Sequence, residues 1–320
     1  VLVDARSLIG TALERVVQDF PTEDPTVNAT VDWLTGCQYV GLIAFAGLMV
    51  FERWIVPADQ RRKTVVRGVP SVFLLVGTAA TLLLVPFTAL RIAGRPFSAV
   101  WDISGWGPYL YPPSVQAAMV LLVAAPTALL LMRAAEVARW GRFFLPPVVL
   151  ACLGIPVLSG HTRSQQPAWL IFAADLTHLA VAALWLGGLL GLLLLLGRLP
   201  ATPADARKLA AVVIRFSGFA LVSVVLLAAS GASMAVLILD EPAQLLSGSY
   251  GRMLLIKVGL VLAAVTVALW NRTCLLRHLA AFSGAEWSTL RRTLAYELLL
   301  LLVVVAITAV LTGTGPGHTH

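Results

Sequence analysis

Eight stretches of this chain, roughly 34–56, 68–90, 113–132, 143–160, 168–197, 212–239, 251–271 and 293–313, are apolar over about the length a helix needs to cross a membrane. A stretch of that kind has few choices of structure. In hydrocarbon every backbone N–H and C=O must find a partner within the protein, which leaves helices or closed barrels, and runs this long and unbroken suit helices. Composition agrees: of 320 residues 59% are hydrophobic and 12% charged, about half the charged share of a soluble protein. Too few polar side chains remain to clothe two water-soluble domains of this total length. The fold expected is all-α, a polytopic membrane bundle of eight transmembrane helices, with the lipid bilayer as its principal surroundings.

The basic residues orient that bundle. Sixteen of the 23 Lys and Arg, among them Arg61, Arg62, Lys63, Arg67, Arg139, Arg142, Arg291 and Arg292, fall on one side when loops are assigned alternately. The positive-inside rule makes that side cytoplasmic and puts both termini outside. The net charge of +7 therefore does not point to nucleic acid, because the basic residues form short clusters between apolar runs and accompany no recognition motif. On the outer side, residues 94–112 carry Trp101, Trp106, Tyr109 and Tyr111, an interfacial aromatic belt. Residues 6–20 have the stripe of an amphipathic helix, with Leu8, Ile9, Leu13, Val16, Val17 and Phe20 on one face. The chain thus divides into an outer amphipathic helix and linker (1–31), the bundle (32–313) and an outer tail (314–320) that carries His318 and His320. Cys37, Cys152 and Cys274 are far apart and form no CxxC pattern.

Ionisable residues inside spans are costly and hence informative. Asp175 and His178 are three residues apart, on one face of the fifth run, and His161 closes the fourth run only a short connection earlier. One carboxylate and two imidazoles suit a first-row transition metal. The same residues also fit a purely structural arrangement, in which Asp175 orients the His178 ring or pairs with Lys257 at a similar depth of the seventh run. Glu297 lies near the inner end of the eighth, where Arg215 or Arg272 is the expected partner. Met119, Met234, Met253 and Cys37 fall in the outer halves of four spans, as soft ligands lining a path of access or as packing residues. The inner half offers few further stations beyond Met49, Met132 and Glu297. Gly187 and Gly191, with Ser230-Gly231-Ala232-Ser233, read as small-residue faces for close helix packing.

Taken in order, these pieces resemble the copper resistance protein D (CopD) family of bacterial inner-membrane proteins. The residues concerned are Gly160-His161, Asp175-Leu176-Thr177-His178, Ala182-Ala183-Leu184-Trp185-Leu186-Gly187-Gly188 and Arg215-Phe216-Ser217. They continue through Ser230-Gly231, Tyr250-Gly251, Leu254-Leu255-Ile256-Lys257, Asn271-Arg272 and Glu297. The likeness is densest over 160–312. It implies a multi-pass inner-membrane protein that takes up copper from the outer side, with His161, His178 and Asp175 as its metal site and a CopC-like periplasmic copper-binding protein as partner. We read the chain as a transport protein and not an enzyme. A non-transporting delivery or scaffold subunit, working with an oxidase-assembly factor, is the alternative. A haem-binding electron carrier is a further one, but it needs two facing histidines, and only His178 lies well inside a span, with His161 at an edge and His278 in a loop.

Overall fold

The computed structural model describes residues 24–57, 68–159, 167–197, 202–238, 249–275 and 284–313, and every regular element among them is helical. The helices are α1 (Pro25–Val50), α2 (Val69–Ile92), α3 (Pro112–Val137), α4 (Arg139–Leu153), α5 (Ile155–Ser159), α6 (Ala168–Leu196), α7 (Pro203–Ile238), α8 (Ser249–Trp270) and α9 (Gly284–Gly313). The amphipathic stretch 6–20, His161, His278 and the tail with His318 and His320 lie outside the described residues.

Local chemistry sets the ends. Asp24 caps α1 by accepting from Thr26 N at 2.8 Å, and Pro25 occupies the first turn, where a missing N–H costs nothing. Those two signals start α1 at Pro25, about two turns before the apolar run that begins near residue 34. Residues 25–31 are therefore helical and continuous with the first span. Pro86 and Pro126 sit inside α2 and α3 without ending them, as membrane helices allow.

The fourth apolar run behaves differently, and it is the one of the eight expected spans that the described residues do not show as a single long helix. Seven described helices are long and apolar enough to cross a membrane. The remaining run is divided at Gly154 into α4 and α5, of 15 and 5 residues. Pro146, Pro147 and Pro156 withhold backbone donors on both sides of that division. Both pieces pack along α3.

Helices α1 and α6 form the centre. Helix α1 packs on α2, α4, α6 and α9, and α6 on α1, α4, α7 and α9. At the α1–α6 crossing, Gly47 meets Gly187 so closely that a Cβ on Gly47 would stand 1.8 Å from the carbonyl oxygen of Ala183. Lipid tails are as apolar as leucine, so helices here associate by close backbone packing, and the small residues expected on α6 provide it. Peripheral helices α7 and α8 expose Val222, Val225, Leu255 and Leu262 broadly. They rest on α6 and α9 respectively and face one another across a cleft.

The two ends of the bundle differ in chemistry. One carries the start of α1, residues 94–111 and the start of α6, with Trp33, Trp101 and Trp169 exposed; we call it the aromatic end. The other carries Arg53, Arg142, Arg207, Arg272 and Arg291, and is called the basic end. At the aromatic end Arg95 Nη1 donates to Asp102 Oδ2 at 2.6 Å, and Asp102 caps the helical turn Ile103–Trp106. Asp24 also accepts from Phe97 N at 3.1 Å, tying α1 to this loop. Backbone hydrogen bonds from Thr26 and Phe97 hold the Asp24 carboxyl below its ordinary range. Hydrogen bonds from Ser104 and Arg95 do the same for Asp102.

Candidate functional site

Two polar nodes stand inside the bundle. The first lies toward the aromatic end. Asp175 is buried on α6, seven residues from the helix start, and His178 follows one turn later. The Nδ1 atom of His178 is 3.1 Å from Ser230 Oγ on α7. Ser230 Oγ also lies 2.8 Å from Leu226 O, to which it donates. A hydroxyl has one proton, and the roles at this contact follow the tautomer of the ring: when the Ser230 proton goes to Leu226 O, Nδ1–H of His178 donates to Ser230 and Nε2 keeps its lone pair, the form able to bind a metal or accept a proton. Gly231 makes the arrangement possible: a Cβ there would press on the imidazole, 3.3 Å from Cε1.

Lys257 on α8 completes the charge pattern of this node. It interacts electrostatically with Asp175 and with His178. Asp175 in turn acts on the phenol of Tyr39, across the α1–α6 contact. Neither Ser230 nor Tyr39 is recognisable from sequence spacing as a neighbour of this node. Ser230 reads as a packing residue in a small-residue run, and its spacing from Gly231 is the only signal that it serves a ring.

The soft ligands separate into two groups. Met234 follows Ser230 by one turn on α7, and Met253 precedes Lys257 by one turn on α8. Because the two helices run in opposite directions, both methionines lie on the aromatic-end side of the node. Both are half-buried. Met119 is 56% exposed on α3, which packs on α2, α4 and α5. Cys37 is half-buried on α1. Among the described residues no group of three or more His, Cys, Asp and Glu is arranged to hold a metal; His161, the third residue of the expected set, lies outside them.

The second node lies toward the basic end, centred on Glu297, which is 2% exposed. Its expected arginine partner is not what the structure gives. Trp185 Nε1 on α6 donates to Glu297 Oε1 at 2.6 Å, and Asn271 Nδ2 approaches Oε2 at 3.5 Å. Arg272 turns instead to α7, donating from Nη1 to Ser217 O at 2.8 Å and Ser217 Oγ at 2.9 Å. The physical reason is depth: Glu297 is enclosed by α6 and α9, where a neutral indole N–H can follow it and a guanidinium keeps contact with the surface. A cavity of about 70 Å³ between α7 and α8 adjoins this node, bounded by Phe216, Ser217, Asn271, Arg272, Leu294 and Glu297. Asn271 Oδ1 is buried with no hydrogen-bond partner among the described residues.

Between the nodes lies apolar packing. His178 and Trp185 are seven positions apart on α6, about 10 Å at the helical rise. Two polar stations and an apolar interval between them are what the described residues offer.

Comparison with known proteins bears on the helices that build both nodes. Residues 210–311, which cover most of α7, all of α8 and most of α9, match the family model of copper resistance protein D, CopD. The resemblance read from the sequence is thereby supported over that segment. No curated protein and no solved structure matches the chain. A multi-pass membrane protein related to copper resistance is the description that these findings support.

Proposed function

We propose that this protein accepts copper at its aromatic end, on the outer side of a bacterial inner membrane, and passes it inward. His178 Nε2 is the principal ligand at the first node, Asp175 is a ligand or the group that balances its charge, and His161 is the further imidazole. Met234 and Met253 line the approach. The observation that carries this reading is the contact of His178 Nδ1 with Ser230, which holds the imidazole one turn from a buried carboxylate and leaves Nε2 as the nitrogen for a metal. A CopC-like periplasmic protein is the proposed donor. The aromatic end is the outer one because the basic residues crowd the other.

A second reading has one observation in its favour. The apolar interval of about 10 Å between the nodes suits a subunit that receives copper and hands it to an oxidase-assembly factor without conducting it. Measuring copper content and copper uptake on the same reconstituted protein separates the two. Transport predicts bound copper and uptake in the wild type, with both lost in His178→Ala and in His161→Ala. Bound copper without uptake favours delivery. Copper content unchanged in both variants rejects the site.

A further inference from the structure

The cleft between α7 and α8 has a form that the two polar nodes do not explain. Helices α6 and α9 pack on each other and make its floor, with Leu192 and Leu294. Helices α7 and α8 rest on that floor as its two walls, and they are the least buried of the seven long helices. Leu221 on α7 and Leu269 on α8 line the cleft and are themselves exposed, so it opens sideways from the bundle. In a membrane that opening faces acyl chains.

The basic end of the cleft has a different chemistry. Trp270 closes α8 and is exposed, as an indole at the membrane interface is. Arg272 follows it in the π-helical turn Asn271–Leu275 and is also exposed. Both hydrogen bonds of Arg272 leave from Nη1, to Ser217 O at 2.8 Å and Ser217 Oγ at 2.9 Å. A guanidinium has five N–H groups, and those on Nε and Nη2 have no partner among the described residues. Arg272 is thus fixed to α7 with most of its donors unspent. The other charged group of the lining, Glu297, is taken up by Trp185 and Asn271. From the level of Ser217 and Arg272 the apolar walls extend to Val224 and Val265, seven residues on each helix. That is about 10 Å at the helical rise, against about 15 Å for one leaflet of hydrocarbon.

We propose that this cleft binds one anionic phospholipid from the leaflet at the basic end, with an acyl chain between α7 and α8 and the phosphate on Nε and Nη2 of Arg272. Each part of the lipid meets its match: hydrocarbon lies against apolar walls, and a planar fork of donors meets the phosphate oxygens. Basic pockets between membrane helices recognise lipid headgroups in this way. Arg207, Arg291 and Arg292 at the same end add positive charge, which favours a headgroup without a cation of its own. A helix from a second copy of the chain is the rival occupant, but it is about 10 Å across and the cleft is about 70 Å³. The proposal involves neither copper nor the first node, so it stands or falls apart from the copper reading.

The full chain, purified in detergent and stripped of lipid, is incubated with equal amounts of phosphatidylglycerol and phosphatidylcholine carrying the same acyl chains. Native mass spectrometry then reads what is retained. A single phosphatidylglycerol per chain is expected, favoured over phosphatidylcholine about fivefold or more. Arg272→Gln should lose that preference, whereas Ser217→Ala, which removes one anchor of the guanidinium and keeps its charge, should retain it. Ala220→Trp and Ala268→Phe fill the cleft from opposite walls, and each should lose both lipids. The Arg272 comparison decides the matter even where a bulky variant fails to fold. No lipid retained by the wild type, a preference as strong in Arg272→Gln as in the wild type, or a lipid-free dimer overturns the proposal.

Discussion

At the scale of single residues, function rests on how a few polar side chains are held in an apolar setting. The Ser230 hydroxyl holds the His178 ring through Nδ1, so Ser230→Ala is expected to weaken copper binding about 10-fold to 100-fold while leaving the fold intact, in line with other groups that orient a ligating imidazole. Competition with a copper chelator measures it. Trp185 donates its indole proton to a carboxylate enclosed by protein, and Trp185→Phe leaves that oxygen without its donor. A loss of about 1–3 kcal/mol is expected, read as a lowered melting temperature in detergent. The residues at both positions were visible in the sequence, but their partners were not. Asp175 and His178 share a face by spacing alone, whereas the partners Ser230 and Asn271 are 52 and 26 positions away from the groups they serve. Nothing in an unaligned sequence measures such distances.

At the scale of elements, the short motifs scattered along the chain turn out to be parts of two assemblies. Asp175 and His178 on α6 meet Ser230-Gly231 on α7 and Lys257 on α8; Trp185 on α6 meets Asn271 beside α8 and Glu297 on α9. Phe216, from the motif that follows Arg215, packs where a Cβ on Gly188 would stand 2.0 Å from its ring. The glycines of α6 were legible as a packing face, and the structure supplies what they pack on. Gly187→Val places two methyl groups where the α1 backbone already lies, so separation of α1 from α6 is expected, read as loss of the monodisperse peak in size-exclusion chromatography. What sequence could not settle was the run 143–160. Its length and apolarity match a span, but the prolines and the Gly154 break are local conformational effects that a hydropathy window averages away.

The aromatic-end loop is an element with its own pH response. Asp24 and Asp102 have carboxyls held below their ordinary range in the folded chain. Their contribution to loop structure is therefore present above the unfolded carboxylate range and is lost as pH falls through the lowered values. Tryptophan fluorescence at Trp101 and Trp106 should report this loosening only at strongly acidic pH. In Asp102→Asn, which removes the charge and the Arg95 ion pair, the loop should be loosened already at neutral pH.

At the scale of the whole molecule, the bundle divides into a buried centre, α1 with α2 and α6, and a more exposed outer pair, α7 and α8, that flanks a cleft. The centre supplies Asp175 and Trp185; the outer helices supply Ser230 and Lys257, and the turn after α8 supplies Asn271. A change in the tilt of α7 or α8 would alter both nodes together, which is the means by which the transport proposed above would cross the apolar interval. Limiting that motion with a Cys–Cys crosslink between α7 and α8 should abolish uptake while copper binding persists. The alternation of basic and aromatic ends was the most legible feature of the sequence, because it depends only on composition near helix ends.

The central claim is that copper binds through His178. X-ray absorption at the copper edge, on reconstituted protein loaded with copper and washed with chelator, tests it most directly. The account predicts imidazole scattering in the wild type that is diminished or lost in His178→Ala. A wild type that retains no copper after washing, or an imidazole signal identical in the two proteins, would contradict it.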